Sequence, residues 1–264
     1  MNIVNEFKLP DWEKYSPKEI DYYSNRDRQD LLCRFKLKQV YQNLCIARIN
    51  CIFSDEKNNY GDLDPEGKNK KWIKNLFLQN ALLYYNICID LSWCMVYFYY
   101  VPKKEGKFNI DNEEIEEIEN VITYDSLQSY LTNHLIMLDD NDEEKVILEE
   151  IIKLTSEFWC NKIPEGFRKD YNYIKHKGTF DIFDTGKNKV EALFLINGNN
   201  PNITIPKFKE FDSEKYIYVL RNFHNIFLEY MDSIINIIIK PKYSSSKYDF
   251  NEIMNNALNN SLNQ

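Results

Sequence analysis

Glycine and proline are scarce in this chain, with seven and eight among 264 residues. Loops that cradle phosphates are built around several glycines, because only glycine lets backbone pass that close to a ligand. Neither G-x-G-x-x-G nor G-x-x-x-x-G-K-[ST] occurs, which argues against a P-loop or dinucleotide-binding fold. An excess of basic charge is also missing: 41 acidic against 33 basic side chains leave a formal charge of −8. A general binder of nucleic acid or of an anionic membrane carries a basic stripe that releases counterions, so any such contact here has to be local. Met1 to Trp12 has no basic stretch leading into an apolar one, so no signal peptide is expected and the cytoplasm is the expected compartment. The six cysteines, at 33, 45, 51, 88, 94 and 160, contain no C-x-x-C. Zinc and redox motifs need that close spacing, so free thiols in apolar runs are expected, with no metal and no cofactor.

What the chain has is apolar and aromatic content, 44% and 15%, enough for a real core. Ser16-Pro17 reads as an N-cap with proline at the first helical position, opening a short helix that ends near Asn25. From about Arg26 to Asp55, Leu37, Val40, Tyr41, Leu44, Ala47 and Cys51 recur at helical steps and line one face. Lys57 to Lys71 reads as a loop. Ala81 to Val101 contains no Lys or Arg and is long enough to span a bilayer. Asp90 near its middle would cost about 3 kcal/mol there, so a central, buried helix is the better reading, with Asp90 a core carboxylate in the favoured reading and a carboxylate orienting the His176 imidazole in the other.

Two helices follow, over Glu113 to Ile122 and from about Ser126. Asp139-Asp140-Asn141-Asp142-Glu143 lacks the glycine an EF-hand loop requires at its sixth position, where Glu144 stands, so these acids are read as the cap of a helix from Glu143 to Asn161. Asp62-Leu63-Asp64-Pro65-Glu66-Gly67 has the glycine but Ile73 stands at its twelfth position, so it too is not a calcium loop. Pro164-Glu165-Gly166 begins another helix, which runs through Phe167 to His176 and stops at Gly178. Thr179 to Phe183, Val190 to Ile196 and Ile203 to Ile205 read as a small β-hairpin with a third strand. The last long helix, about Asp212 to Ile239, places Tyr216, Val219, Leu220, Phe223, Phe227, Tyr230, Ile234 and Ile238 on one face and ends before Pro241. The expected fold is thus mainly α, a bundle of five to seven helices with a small β-hairpin before the last long helix. It forms a single domain over 1–242, and 243–264 is a polar tail.

Histidine is the usual acid or base at neutral pH, and there are three. His134 reads as a helix-surface residue and His224 as a packing residue of the last helix. His176 differs, because Asn172 lies four residues before it and Arg168 eight, and each step of four turns about 40° on a helix. Arg168, Asn172 and His176 therefore share a slowly winding stripe, with Lys169, Lys175 and Lys177 beside it. Arginine, amide, histidine and lysines are the groups that bind a phosphodiester and move a proton at a ribose 2′-hydroxyl. The other reading of the same residues is an ordinary solvated helix face.

Over Phe167-Arg168-Lys169-Asp170-Tyr171-Asn172-Tyr173-Ile174-Lys175-His176 the sequence resembles the HEPN superfamily of prokaryotic defence and toxin proteins. That family's motif is an arginine, usually a polar residue such as asparagine, and a histidine several residues on, in a helix that precedes the final one. The resemblance implies an HEPN-like helical bundle and a metal-independent endoribonuclease of phage defence or stress response. It implies His176 as general acid/base, Arg168 as the phosphate ligand, Asn172 orienting the scissile group, and Lys169, Lys175 and Lys177 contacting RNA. It also implies an active site shared across a dimer; a homodimer or a partner protein is expected, and no membrane. Two departures stand against the motif: Tyr171 fills the arginine position, and seven residues separate Arg168 from His176. An inactive HEPN-like interaction or sensor subunit is the alternative those departures raise.

Overall fold

A computed structural model of the chain describes residues 3–18, 21, 28–55, 60, 69–104, 112–139, 142–177, 181–182 and 210–240. The architecture is mainly α. Its helices are α1 (Ile3–Glu6), α2 (Arg28–Phe53), α3 (Lys70–Lys104), α4 (Asn112–Val121), α5 (Tyr124–Ile136), α6 (Glu143–Trp159), α7 (Lys162–Lys177) and α8 (Ser213–Ile238), with a short 3-10 turn at Glu13–Tyr15. The proposed helix after Ser16-Pro17 and the tail from 243 lie mostly or wholly outside the described residues.

Local chemistry explains where these helices start. Thr123 caps α5 in a reciprocal box: its hydroxyl accepts from the Ser126 N–H at 3.2 Å, and Ser126 Oγ accepts from the Thr123 N–H at 2.8 Å. Asp142 caps α6 by accepting from the Glu144 N–H at 2.9 Å, with Glu143 and Glu144 in the first turn, where negative charge suits the helix dipole. That is the capping role expected of the acidic run. Periodicity also places the core faces correctly. On α2, Leu37, Val40, Leu44, Ala47 and Cys51 are buried, and only Tyr41 of the expected set is half-buried. On α8, Val219 is the one exception.

The expected hairpin is not seen among the described residues. Of its strands, Val190 to Ile196 and Ile203 to Ile205 lie outside the described residues. Asp181–Ile182 does pair, but with Glu210–Phe211 and in parallel, registering Asp181 with Glu210 and Ile182 with Phe211. Consecutive strands of a hairpin run antiparallel, so this two-residue bridge is a different object.

The chain packs as two compact units, one of Met1–Lys8, Ile46–Asn86 and Ile163–His224, the other of Leu9–Cys45, Ile87–Lys162 and Asn225–Gln264. In the first, Phe167 of α7 stacks on Phe223 of α8 with centroids 4.3 Å apart, and the Tyr85 ring meets both edge-on. In the second, α5 and α6 run antiparallel, joined by Gln128 donating to Thr155 at 2.5 Å and Tyr124 donating to Ser156 at 3.3 Å. Trp93, Tyr124 and Trp159 cluster there, as do Phe158 and Tyr230. Arg34 is fully buried in this unit. Its Nε donates to the Tyr15 carbonyl at 2.8 Å, and its Nη2 donates to Asp21 at 2.9 Å and to the Ser16 carbonyl at 3.2 Å.

The apolar stretch of α3 is long and apolar enough to cross a membrane, yet two thirds of its most apolar window is buried inside the protein. That is the burial of a core helix. Asp90 is not the core carboxylate expected: it is half-buried. The six cysteines are free, but Cys160 is exposed and Cys45 half-buried, so only four are buried thiols.

Candidate functional site

The basic stripe sits on α7, and the opposite side of that helix explains why the stripe faces out. Phe167 is buried in the aromatic stack. One turn on, Asp170 accepts a hydrogen bond from the Tyr216 hydroxyl of α8 at 3.0 Å. The Tyr216 hydroxyl is held protonated by burial, with the Asp170 carboxylate acting in the same direction. These two contacts fix the rotation of α7 about its axis and leave Asn172, Lys175 and His176 exposed.

Arg168 is half-buried, and its guanidinium lies over the Tyr171 ring, 5.2 Å from the centroid. Lys169 is exposed and pairs with Glu165 at 2.6 Å, the i,i+4 geometry of a surface helix pair. Lys177 ends α7, and its side chain lies outside the described residues, as does Gly178. The structure thus brings Asn172, Lys175 and His176 together at the exposed C-terminal half of one helix. Arg168 stands two turns before His176, a rise of about 12 Å on a helix.

The other two histidines are buried. His134, expected on a helix surface, packs edge-on against Tyr100 at 5.8 Å, and its Nε2 lies 3.4 Å from Glu144 of α6. The α5 positions facing α6 are those at which a histidine is covered, which a single helix pattern could not reveal. His224 is fully buried as a packing residue. Its Nε2 donates to the Lys8 carbonyl at 2.8 Å, which leaves Nδ1 to accept from the Tyr85 hydroxyl at 2.9 Å. Burial pushes this imidazole down to about 4, the Lys8 carbonyl acting against that and Arg48 with it.

Sequence reading missed this buried network. Tyr85 lies inside an apolar run, and its partner is 139 residues away, so no local pattern announces the pair. Thiol chemistry has little support: burial raises Cys51 and Cys88 and pushes Cys94 up to about 12, so these sulfurs stay protonated. Among the described residues, no group of three or more His, Cys, Asp or Glu side chains is placed to hold a metal ion.

Fold and site together define a mainly α protein in which α7 presents an exposed, polar, partly basic stripe. No family model, no curated protein and no solved structure matches the chain.

Proposed function

We propose that the protein is an HEPN-like, metal-independent endoribonuclease acting on RNA in phage defence or stress response, with His176, Arg168 and Asn172 as its catalytic residues. The observation that carries this reading is the exposure of His176 and Asn172, one turn apart, on a helix whose opposite face is anchored through Phe167 and Asp170. A histidine buried among apolar side chains could not reach a phosphodiester, whereas this one meets solvent.

In the reaction, His176 takes the proton of a ribose 2′-hydroxyl, the 2′-oxygen attacks the adjacent phosphorus, and the 5′-oxygen leaves with a proton from a second acid. The products are a 2′,3′-cyclic phosphate and a 5′-hydroxyl. Asn172 hydrogen-bonds the non-bridging oxygens, and Arg168 with Lys169, Lys175 and Lys177 contacts the phosphate chain. Because Arg168 is about 12 Å behind His176 along α7, the two touch different phosphates within one chain. A second copy facing the first supplies the other acid.

One observation favours a second reading, a non-catalytic interaction or sensor subunit of the same helical class. The residue at the family's arginine position is Tyr171, and its ring engages Arg168. Incubation with transfer RNA in EDTA separates the two. The first predicts cleavage that His176→Ala abolishes. An inactive wild type, with cleavage gained in Tyr171→Arg, establishes the second reading, and equal cleavage by wild type and His176→Ala overturns the first.

A further inference from the structure

The best-defined polar network in the first unit does not involve the α7 stripe. It holds the N-terminal segment from Ile3 to Lys8. Three side chains grip consecutive residues of that segment: Arg221 of α8 pairs with Glu6, Arg48 of α2 donates through Nε to the Phe7 carbonyl at 2.6 Å, and His224 donates to the Lys8 carbonyl at 2.8 Å. The Phe7 ring, fully buried, packs edge-on against the His224 ring at 5.4 Å.

We propose that this segment is an acid-releasable latch, opened when His224 takes up a proton.

Groups from three elements face the imidazole. From α3 comes the Tyr85 hydroxyl, which occupies Nδ1 as a donor and is itself in contact with the Cys51 thiol of α2. Arg48 of α2 brings a positive charge, and the segment brings the Lys8 carbonyl. Glu6, the carboxylate within the segment, is engaged by Arg221. A proton added at Nδ1 therefore forces the Tyr85 hydroxyl to turn from donor to acceptor and sets a cation beside the Arg48 cation, with no carboxylate facing the ring among the described residues. Departure of Phe7 and Lys8 lets water reach the ring and removes that penalty.

Because His224 ionises near 4 when the latch is closed and near 6.5 in water, the open fraction rises by about a hundredfold between pH 7 and pH 4.

The test is hydrogen–deuterium exchange of the full chain from pH 7.5 to 4.5, corrected for intrinsic rates. The amides of Phe7 and Lys8 should lose protection as the pH falls while those of Tyr85 to Phe98 keep theirs. In His224→Gln, whose amide can still donate to Lys8 and accept from Tyr85, the protection of Phe7 and Lys8 should not depend on pH. Protection that is independent of pH in the wild type, or that falls equally in His224→Gln, or that is lost together with the α3 core, overturns the latch. Should His224→Gln fail to fold, the NMR titration of the His224 ring in the wild type decides. Its midpoint must coincide with loss of protection at Phe7 and Lys8, and a mismatch overturns the proposal.

Discussion

His224 illustrates how one side chain ties stability to pH. Its folded value, about 4, lies below the ordinary 6.5, so the fold favours the neutral ring. The stability this group contributes is fully present above about pH 6.5 and is lost as the pH falls toward 4, by at most about 3 kcal/mol. Urea unfolding of wild type and His224→Gln at pH 7.5, 6 and 5 should show the wild type losing stability faster across that window. Arg34 makes the opposite kind of contribution, a charge kept in the core by Asp21 and two carbonyls. Arg34→Met removes the cation that faces the buried carboxylates of Asp21 and Asp30, leaving Asp21 the Lys18 N–H it accepts from at 2.8 Å, and should cost about 3–5 kcal/mol, part of which Asp21→Leu in the same chain should restore. Thermal unfolding of the two variants checks this. Neither residue could be chosen from sequence, because Arg34 reads as one more polar position of α2 and the partners of His224 lie 139 and 216 residues away.

At the scale of elements, the sequence was most legible where one helix face repeats. The core faces of α2 and α8 follow from periodicity, and the start of α6 follows from Asp142 and the acids after it. The short strands show why shorter elements are harder. Asp181–Ile182 pairs with Glu210–Phe211, a two-residue strand with no alternating pattern to mark it, and a parallel partner is set by tertiary placement rather than by a turn. For the candidate site, the spacing of Asn172 and His176 was legible, and both residues are exposed. The stacking of Arg168 on Tyr171 and the anchoring of Asp170 by Tyr216 were not, since both depend on side-chain direction. Phe167 is the seat of α7 in this account. Phe167→Ala should cost about 3–5 kcal/mol, and Phe167→Leu, which keeps most of the volume, less than about 1.5 kcal/mol, as read from denaturant midpoints.

For the whole molecule, the formal charge of −8 sets a limit on RNA binding. With contacts confined to Arg168, Lys169, Lys175 and Lys177, at most about four phosphates are neutralised, so the affinity for a single strand should fall with salt at a log–log slope no steeper than about −3. A steeper slope would place the binding surface elsewhere. In the proposed reaction α7 carries out proton transfer at a ribose 2′-hydroxyl without a metal. End-group analysis of RNA cut by the purified protein in EDTA tests it most directly. The expected ends are 2′,3′-cyclic phosphate and 5′-hydroxyl, and they should disappear in His176→Ala. Ends bearing 3′-hydroxyl and 5′-phosphate, or cyclic phosphate ends that persist in the mutant, would contradict it.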